Sequence, residues 1–161
     1  MSTNHKNINP QLSISRLILA LCFLGIGITY DLAAQETITW EDLTDVEFEE
    51  KYDEETEAFW LVPIFGDQIK KLSKKEVLLE GFLIVLDMES NIVVLSRYPY
   101  SSCFFCGMAG PESIVEIQLS EPPSNIKMDQ KAVMQGSLHL NSTELNHFNY
   151  ILKEAVIAEL K

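Results

Sequence analysis

The residues with the clearest chemical potential lie in the segment P-Y-S-S-C-F-F-C-G-M-A-G-P-E at positions 99–112, which contains Cys103 and Cys106. Two sulfur atoms at C-x-x-C spacing can bind one metal ion, and Gly107 can adopt a tight turn that bulkier residues resist. A structural zinc site requires four ligands, so this pair needs further partners. The sequence predicts a metal site, with zinc as the first candidate. Its ligands are Cys103, Cys106, His139 and Glu112, with His147 as a further candidate.

The same two cysteines allow other interpretations. An oxidising compartment would favour a disulfide, and a bridge across two residues stabilises mainly its own small loop. Thiol–disulfide exchange is a further alternative, although Phe104 and Phe105 supply no positive charge to activate a thiolate. Simple packing of both sulfurs in an aromatic turn is the remaining one. Covalent haem attachment is disfavoured because Gly107 stands where that motif has a histidine.

Other catalytic patterns are missing from the sequence. There is no G-x-S-x-G, no glycine-rich phosphate loop and no readable Ser/His/Asp arrangement. The acidic residues are abundant, but abundance does not identify a general acid and a base. We therefore expect a protein that is not an enzyme and that has no catalytic residues or organic cofactor.

The first 34 residues have the pattern of a secretory signal peptide. Lys6 and Arg16 precede the apolar run 17–28, and the small residue Ala34 follows. That run is too short for a permanent membrane span, which needs about 20 apolar residues. Lipid attachment at Cys22 is the minor alternative, because Leu21 stands where a small residue is expected. The sequence predicts export to the periplasm or the exterior.

Length and charge limit the remainder of the chain. The full sequence has 161 residues and a formal net charge of −12, so positions 35–161 form one domain and a general nucleic-acid binder is excluded. Ten acidic residues and one lysine fall between Glu41 and Glu57, which is typical of a solvated face. No protein partner can be named from these residues.

The elements that must position the cysteines are mainly strands. Alternating or β-branched runs predict strands at 77–86, 92–98, 114–119 and 132–140, and a fifth near the C-terminus after a helical turn at 143–147. Pro63 makes the apolar run 58–65 an edge strand or an irregular cover. Thr39 as an N-cap predicts a short helix over 40–51. Five short strands suggest a mainly β fold, a small OB-like barrel.

These residues also resemble a known group. Trp40 with Leu43, then Gly81-Phe82, then S-C-F-F-C-G-M-A-G-P-E at 102–112 resemble exported bacterial proteins catalogued as a domain of unknown function. The resemblance covers roughly 38–160. It implies an OB-type barrel, and it implies metal association at the two matching thiols, since some relatives look linked to metal-responsive transport clusters. This chain departs from the group in having Gly107 in place of a histidine and Gly110-Pro111 in place of a proline-rich run.

Taken together, the sequence predicts an exported, non-enzymatic binding module. Its C-x-x-C loop would bind a transition metal or respond to one. The alternatives are a thiol–disulfide redox protein and a structural or partner-binding domain with a disulfide in that loop.

Overall fold

A computed structural model describes residues 35–54, 57–87, 92–107, 109–121 and 126–161. The predicted signal peptide, 1–34, lies outside the described residues. The described part is mainly β, with one short α-helix and four single-turn 3-10 helices. The strands are β1 (Glu36–Thr37), β2 (Val46–Asp53), β3 (Ala58–Phe65), β4 (Glu76–Asp87), β5 (Ile92–Ser96), β6 (Ile114–Leu119), β7 (Gln130–Leu140) and β8 (Tyr150–Leu160). The helix α1 covers Asp67–Leu72, and the 3-10 turns cover Asp42–Thr44, Tyr100–Ser102, Phe104–Cys106 and Pro111–Ser113.

Five strands close into a barrel, as the sequence predicts. The order around the barrel is β4-β5-β6-β8-β7, and β7 returns to pair with β4. All of these pairings are antiparallel except β6 with β8, which is parallel. Numbered along the chain, the barrel strands run first, second, third, fifth, fourth, so the fold is an OB-like barrel. Closure leaves every barrel strand paired on both sides.

Period-two alternation fills the barrel interior. In β7, Ala132, Met134, Gly136 and Leu138 are buried, whereas the residues between them are partly exposed. The other strands contribute alternate residues to the same core in the same way. The interior is therefore a continuous apolar cluster that includes Leu79, Leu83, Leu95, Val115, Met134, Leu138 and Leu152.

Gly81 allows the indole of Trp40 to lie directly against β4. A Cβ atom at Gly81 would lie 2.6 Å from the Ser96 carbonyl oxygen and 2.9 Å from the Trp40 ring. The Trp40 Nε1–H donates a hydrogen bond to the Glu80 carbonyl oxygen at 2.7 Å. Glycine at this position therefore leaves room for the Trp40 ring, and Trp40 anchors the segment before β2 to the barrel wall.

The predicted helix over 40–51 is wrong. The structure has one 3-10 turn at Asp42–Thr44, followed by the strand β2. Asp42 accepts hydrogen bonds from the backbone N–H and hydroxyl of Thr39, so the predicted N-cap residue is a donor at the start of a turn. β2 instead pairs along its whole length with β3, because a complementary apolar strand follows it.

The last connection also differs from expectation. The predicted helical turn at 143–147 does not form a helix, since Asn141 organises that loop through its side chain. The Asn141 Oδ1 accepts a hydrogen bond from the Glu144 N–H at 2.9 Å, and its Nδ2 donates to the Glu144 carbonyl at 2.8 Å.

The predicted barrel strands are confirmed within a few residues. The segment 58–65 is an edge strand, one of the two alternatives that Pro63 allows. In the described part of the chain, no helix is both long enough and apolar enough to span a bilayer.

Candidate thiol site

The cysteine loop begins where β5 ends and is held against the barrel by backbone hydrogen bonds. The Tyr100 N–H donates to the Asp129 carboxylate at 2.7 Å, which ties the loop to the connection between β6 and β7. The Ser102 N–H donates to the Pro99 carbonyl at 2.9 Å and closes the first 3-10 turn. The cysteines are thus carried on short, internally bonded turns.

The two thiols converge on one acceptor. The Sγ atoms of Cys103 and Cys106 each lie 3.1 Å from the Tyr100 carbonyl oxygen. The Cys106 N–H donates to the Cys103 carbonyl at 3.1 Å, and Gly107 then turns the chain with a φ of +69°. Both thiols are free, with Cys103 buried and Cys106 exposed. The loop therefore presents one accessible and one protected cysteine whose sulfurs contact the same carbonyl oxygen.

Cys103 packs on the outer surface of the barrel. Ile84 of β4 and Val94 of β5 are paired neighbours and form a small buried cluster with Cys103. Phe148 packs against this cluster, and its ring lies 6.0 Å from the ring of Phe105, edge to face. The cysteine loop and the loop before β8 therefore cover the same patch of strands β4 and β5.

A carboxylate and a histidine border this patch. Glu116 lies beside Val94 in the β5–β6 pairing. Its carboxylate contacts the His147 Nδ1 at 2.9 Å and accepts a hydrogen bond from the Phe148 N–H at 3.1 Å. Sequence reasoning named His147 only as a further candidate and did not name Glu116. The available signal was the outward position of Glu116 between the buried residues Val115 and Ile117.

His139 occupies a different setting. It lies in β7, where its Nε2 is 3.4 Å from the Ser137 hydroxyl oxygen. Burial lowers the pKa of His139, and the positive charges of Lys153 and Lys74 lower it further. His139 and His147 both line a small polar cleft of about 230 Å³ beside the loop before β8.

Glu112 folds back on its own turn. Its carboxylate fills the space where a side chain at Gly110 would lie. Of the four predicted ligands, Cys103 and Cys106 are brought together, because both of their sulfurs contact the Tyr100 carbonyl oxygen. Within the described residues, no three His, Cys, Asp or Glu side chains form a group that could hold a metal ion. The larger ligand set with His139 and Glu112 stays a prediction.

Comparisons with known proteins add little to this geometry. No family model matches the sequence. No curated protein matches it either. Among solved structures, the chain is similar to a DUF3299 family protein from Pseudomonas aeruginosa, with 15% sequence identity and a TM-score of 0.47. The match covers 79% of this chain and 95% of the other. That neighbour belongs to a family of unknown function, and the similarity assigns no activity to this chain.

Proposed function

We propose that this protein is an exported, non-enzymatic binding module whose Cys103 and Cys106 thiols bind a thiophilic transition-metal ion, with Zn²⁺ as the first candidate. The observation that carries the proposal is the convergence of both Sγ atoms on the Tyr100 carbonyl oxygen, each at 3.1 Å. Two sulfurs that share a neighbour within van der Waals range need little rearrangement to share an ion. Thiolates are preferred ligands of zinc and of monovalent copper.

The arrangement favours an exchangeable site over a structural one. A closed zinc site takes four protein ligands, whereas two side chains converge here. Water or a ligand from another molecule would complete the coordination. The exposed Cys106 gives an ion a path from solvent, while the buried Cys103 holds the inner position. Metal binding would displace the thiol protons, so affinity rises with pH.

The test uses the reduced full chain in a Cys22→Ser background, so that Cys103 and Cys106 are the remaining thiols. Native mass spectrometry and elemental analysis after addition of Zn²⁺ should give one metal per chain. Cys103→Ser and Cys106→Ser should each weaken binding by at least about tenfold. Ser101→Ala in the same loop is the matched control and should bind as the parent does. Equal metal content in the double serine variant would overturn the proposal.

A second candidate is thiol–disulfide exchange, favoured by the asymmetry between the exposed Cys106 and the buried Cys103. Cys106 would attack the disulfide of a partner protein and form a mixed disulfide with it. Cys103 would then attack Cys106 and release the partner as a dithiol. One S–S bond forms in the loop, and the partner gains two electrons and two protons as two thiols. Insulin reduction by the parent chain, absent in Cys106→Ser, would favour this function. Activity equal to that of the serine variant would exclude it.

A further inference from the structure

The ribbon formed by β2 and β3, here called the arm, has a composition at odds with its position. All eight residues of β3, A-F-W-L-V-P-I-F, are apolar, a pattern typical of a strand buried on both faces. Yet among the described residues β2 and β3 pair only with each other. Phe65 and Val46 at the base of the arm pack in the barrel core and Pro63 is also buried, whereas Phe59 and Leu61 farther out are exposed.

The outer half of the arm exposes large side chains. Phe59 is 70% exposed and Tyr52 is 53% exposed, and their rings lie 5.0 Å apart on one face of the ribbon. Leu61 is exposed on that same face, because residues two apart along a strand point the same way. Ile64 is exposed on the opposite face. A soluble domain rarely leaves such side chains grouped together without a partner.

Charge is distributed unequally between the two strands. Each apolar residue of β3 faces a β2 residue across the ribbon, and several of these are carboxylates: Glu47 faces Ile64, Glu49 faces Val62 and Glu50 faces Leu61. Lys51 is the only basic residue of the arm and lies 3.9 Å from Glu49. Since residues two apart along a strand share a face, Glu47 and Glu49 lie on the face opposite Phe59 and Tyr52, where Glu50 is the one β2 carboxylate. One face of the arm is therefore mainly apolar, and the β2 row of the other face is mainly acidic.

We propose that the arm is a docking surface for an extended protein segment that alternates Lys or Arg with apolar residues. An extended segment beside β2 presents alternate residues on opposite faces of the ribbon. Its apolar side chains would pack on Phe59, Tyr52 and Leu61, and its cations would meet Glu47 and Glu49 on the other face. Charge complementarity selects this occupant. A second copy would bring two acidic rows together, and an anionic lipid surface would be repelled by the same carboxylates.

The test measures binding of three labelled seven-residue peptides to the full chain by fluorescence anisotropy. The peptides alternate Lys with Leu, Glu with Leu, and Lys with Ser. We expect the Lys/Leu peptide to bind at least about tenfold more tightly than either of the others. Added salt should weaken that binding, since exposed charges are screened. Equal affinity for the Glu/Leu peptide would overturn the charge argument, and equal affinity for the Lys/Ser peptide would overturn the apolar one.

Variants locate the surface. Tyr52→Ser with Phe59→Ser should weaken Lys/Leu binding by at least about fivefold, and so should Glu47→Gln with Glu49→Gln on the other face. Leu145→Ser, at an exposed site in the loop before β8, is the matched control and should bind as the parent does. Unchanged affinity in both arm variants would overturn the proposal. Arm-dependent self-association or arm-dependent binding to anionic vesicles would replace it with a different occupant.

Discussion

The barrel and the arm use the same kinds of residue in opposite ways. In the barrel, every strand has two neighbours and the alternate side chains fill a common interior. In the arm, two strands of equal length pair with each other and keep their outer edges and much of their apolar surface exposed. Apolar residues in a strand therefore stabilise the fold only where the topology gives them a second layer to pack against.

The two regions are separate in their strand pairing. Among the described residues no barrel strand pairs with β2 or β3, and Val46 and Phe65 are the arm residues that pack against the barrel core. The cysteine loop lies between these extremes. It is outside the barrel, yet Cys103 is buried against β4 and β5.

The largest expected effect compares one substitution in both regions. Leu83→Ala removes a fully buried side chain of β4 and should lower the free energy of unfolding by about 2–5 kcal/mol. Leu61→Ala in β3 removes an exposed side chain and should change it by no more than about 0.5 kcal/mol. Urea denaturation followed by circular dichroism measures both values. Similar losses at the two sites would show that the arm is packed in solution.

A second substitution adds atoms to the barrel wall. Gly81→Ala places a Cβ 2.6 Å from the Ser96 carbonyl oxygen and 2.8 Å from Leu95, and should cost about 1–3 kcal/mol. Gly110→Ala is the matched control, because its added atom meets the flexible carboxylate of Glu112, which can swing aside. The thermal unfolding midpoint of Gly81→Ala should therefore lie well below that of Gly110→Ala. The opposite ranking would contradict the close packing of Trp40 against β4.

A third change tests the contact between the barrel and the 3-10 turn that precedes the arm. The buried Tyr150 hydroxyl donates to the Leu43 carbonyl at 2.7 Å, so Tyr150→Phe should cost about 1–2 kcal/mol. Burial raises the pKa of Tyr150 above its ordinary value. The folded state therefore favours the protonated phenol. Its contribution is complete below the unfolded pKa of about 10 and is lost as pH rises above it.

The pH dependence distinguishes this phenol from the other tyrosines. The urea midpoint of the parent chain should decrease as the pH rises above about 10, and the midpoint of Tyr150→Phe should decrease less steeply. Tyr98→Phe, at an exposed ring, is the control and should keep the slope of the parent. A parent-like slope in Tyr150→Phe would place the alkaline sensitivity elsewhere.

The smallest effect is expected at the barrel's outer surface. Glu80 forms ion pairs with Lys161 and Lys131, and hydrogen bonding with Lys161 lowers the pKa of its carboxyl. Exposed pairs of this kind are screened by water, so Glu80→Gln should leave the thermal midpoint unchanged within error. A clear fall would indicate that the C-terminal residue clamps the end of β8 more firmly than an exposed pair can.

The barrel was predictable because its signal is local. Runs such as Ile114–Leu119 alternate between apolar and polar residues with little interruption, so the sequence pattern alone locates the strand. The arm was not. Trp40, Leu43 and Val46 are spaced as on a helix, and only the long-range pairing of β2 with the apolar β3 overrides that spacing.

The candidate site was likewise predictable only in part. The C-x-x-C spacing identified Cys103 and Cys106 because residues three apart in a turn meet locally. The neighbours of Cys103 come from distant strands and loops, so spacing could not identify Glu116, which contacts His147 thirty-one residues away. Sequence reasoning chose His139 and Glu112 instead, and the structure places these in other surroundings.

The position of β8 has a consequence for synthesis. β8 follows the other four barrel strands in the sequence, yet it is inserted between β6 and β7. A nascent chain that lacks β8 therefore leaves one edge of β6 and one edge of β7 without a partner strand. The ring can close only after β8 has been synthesised.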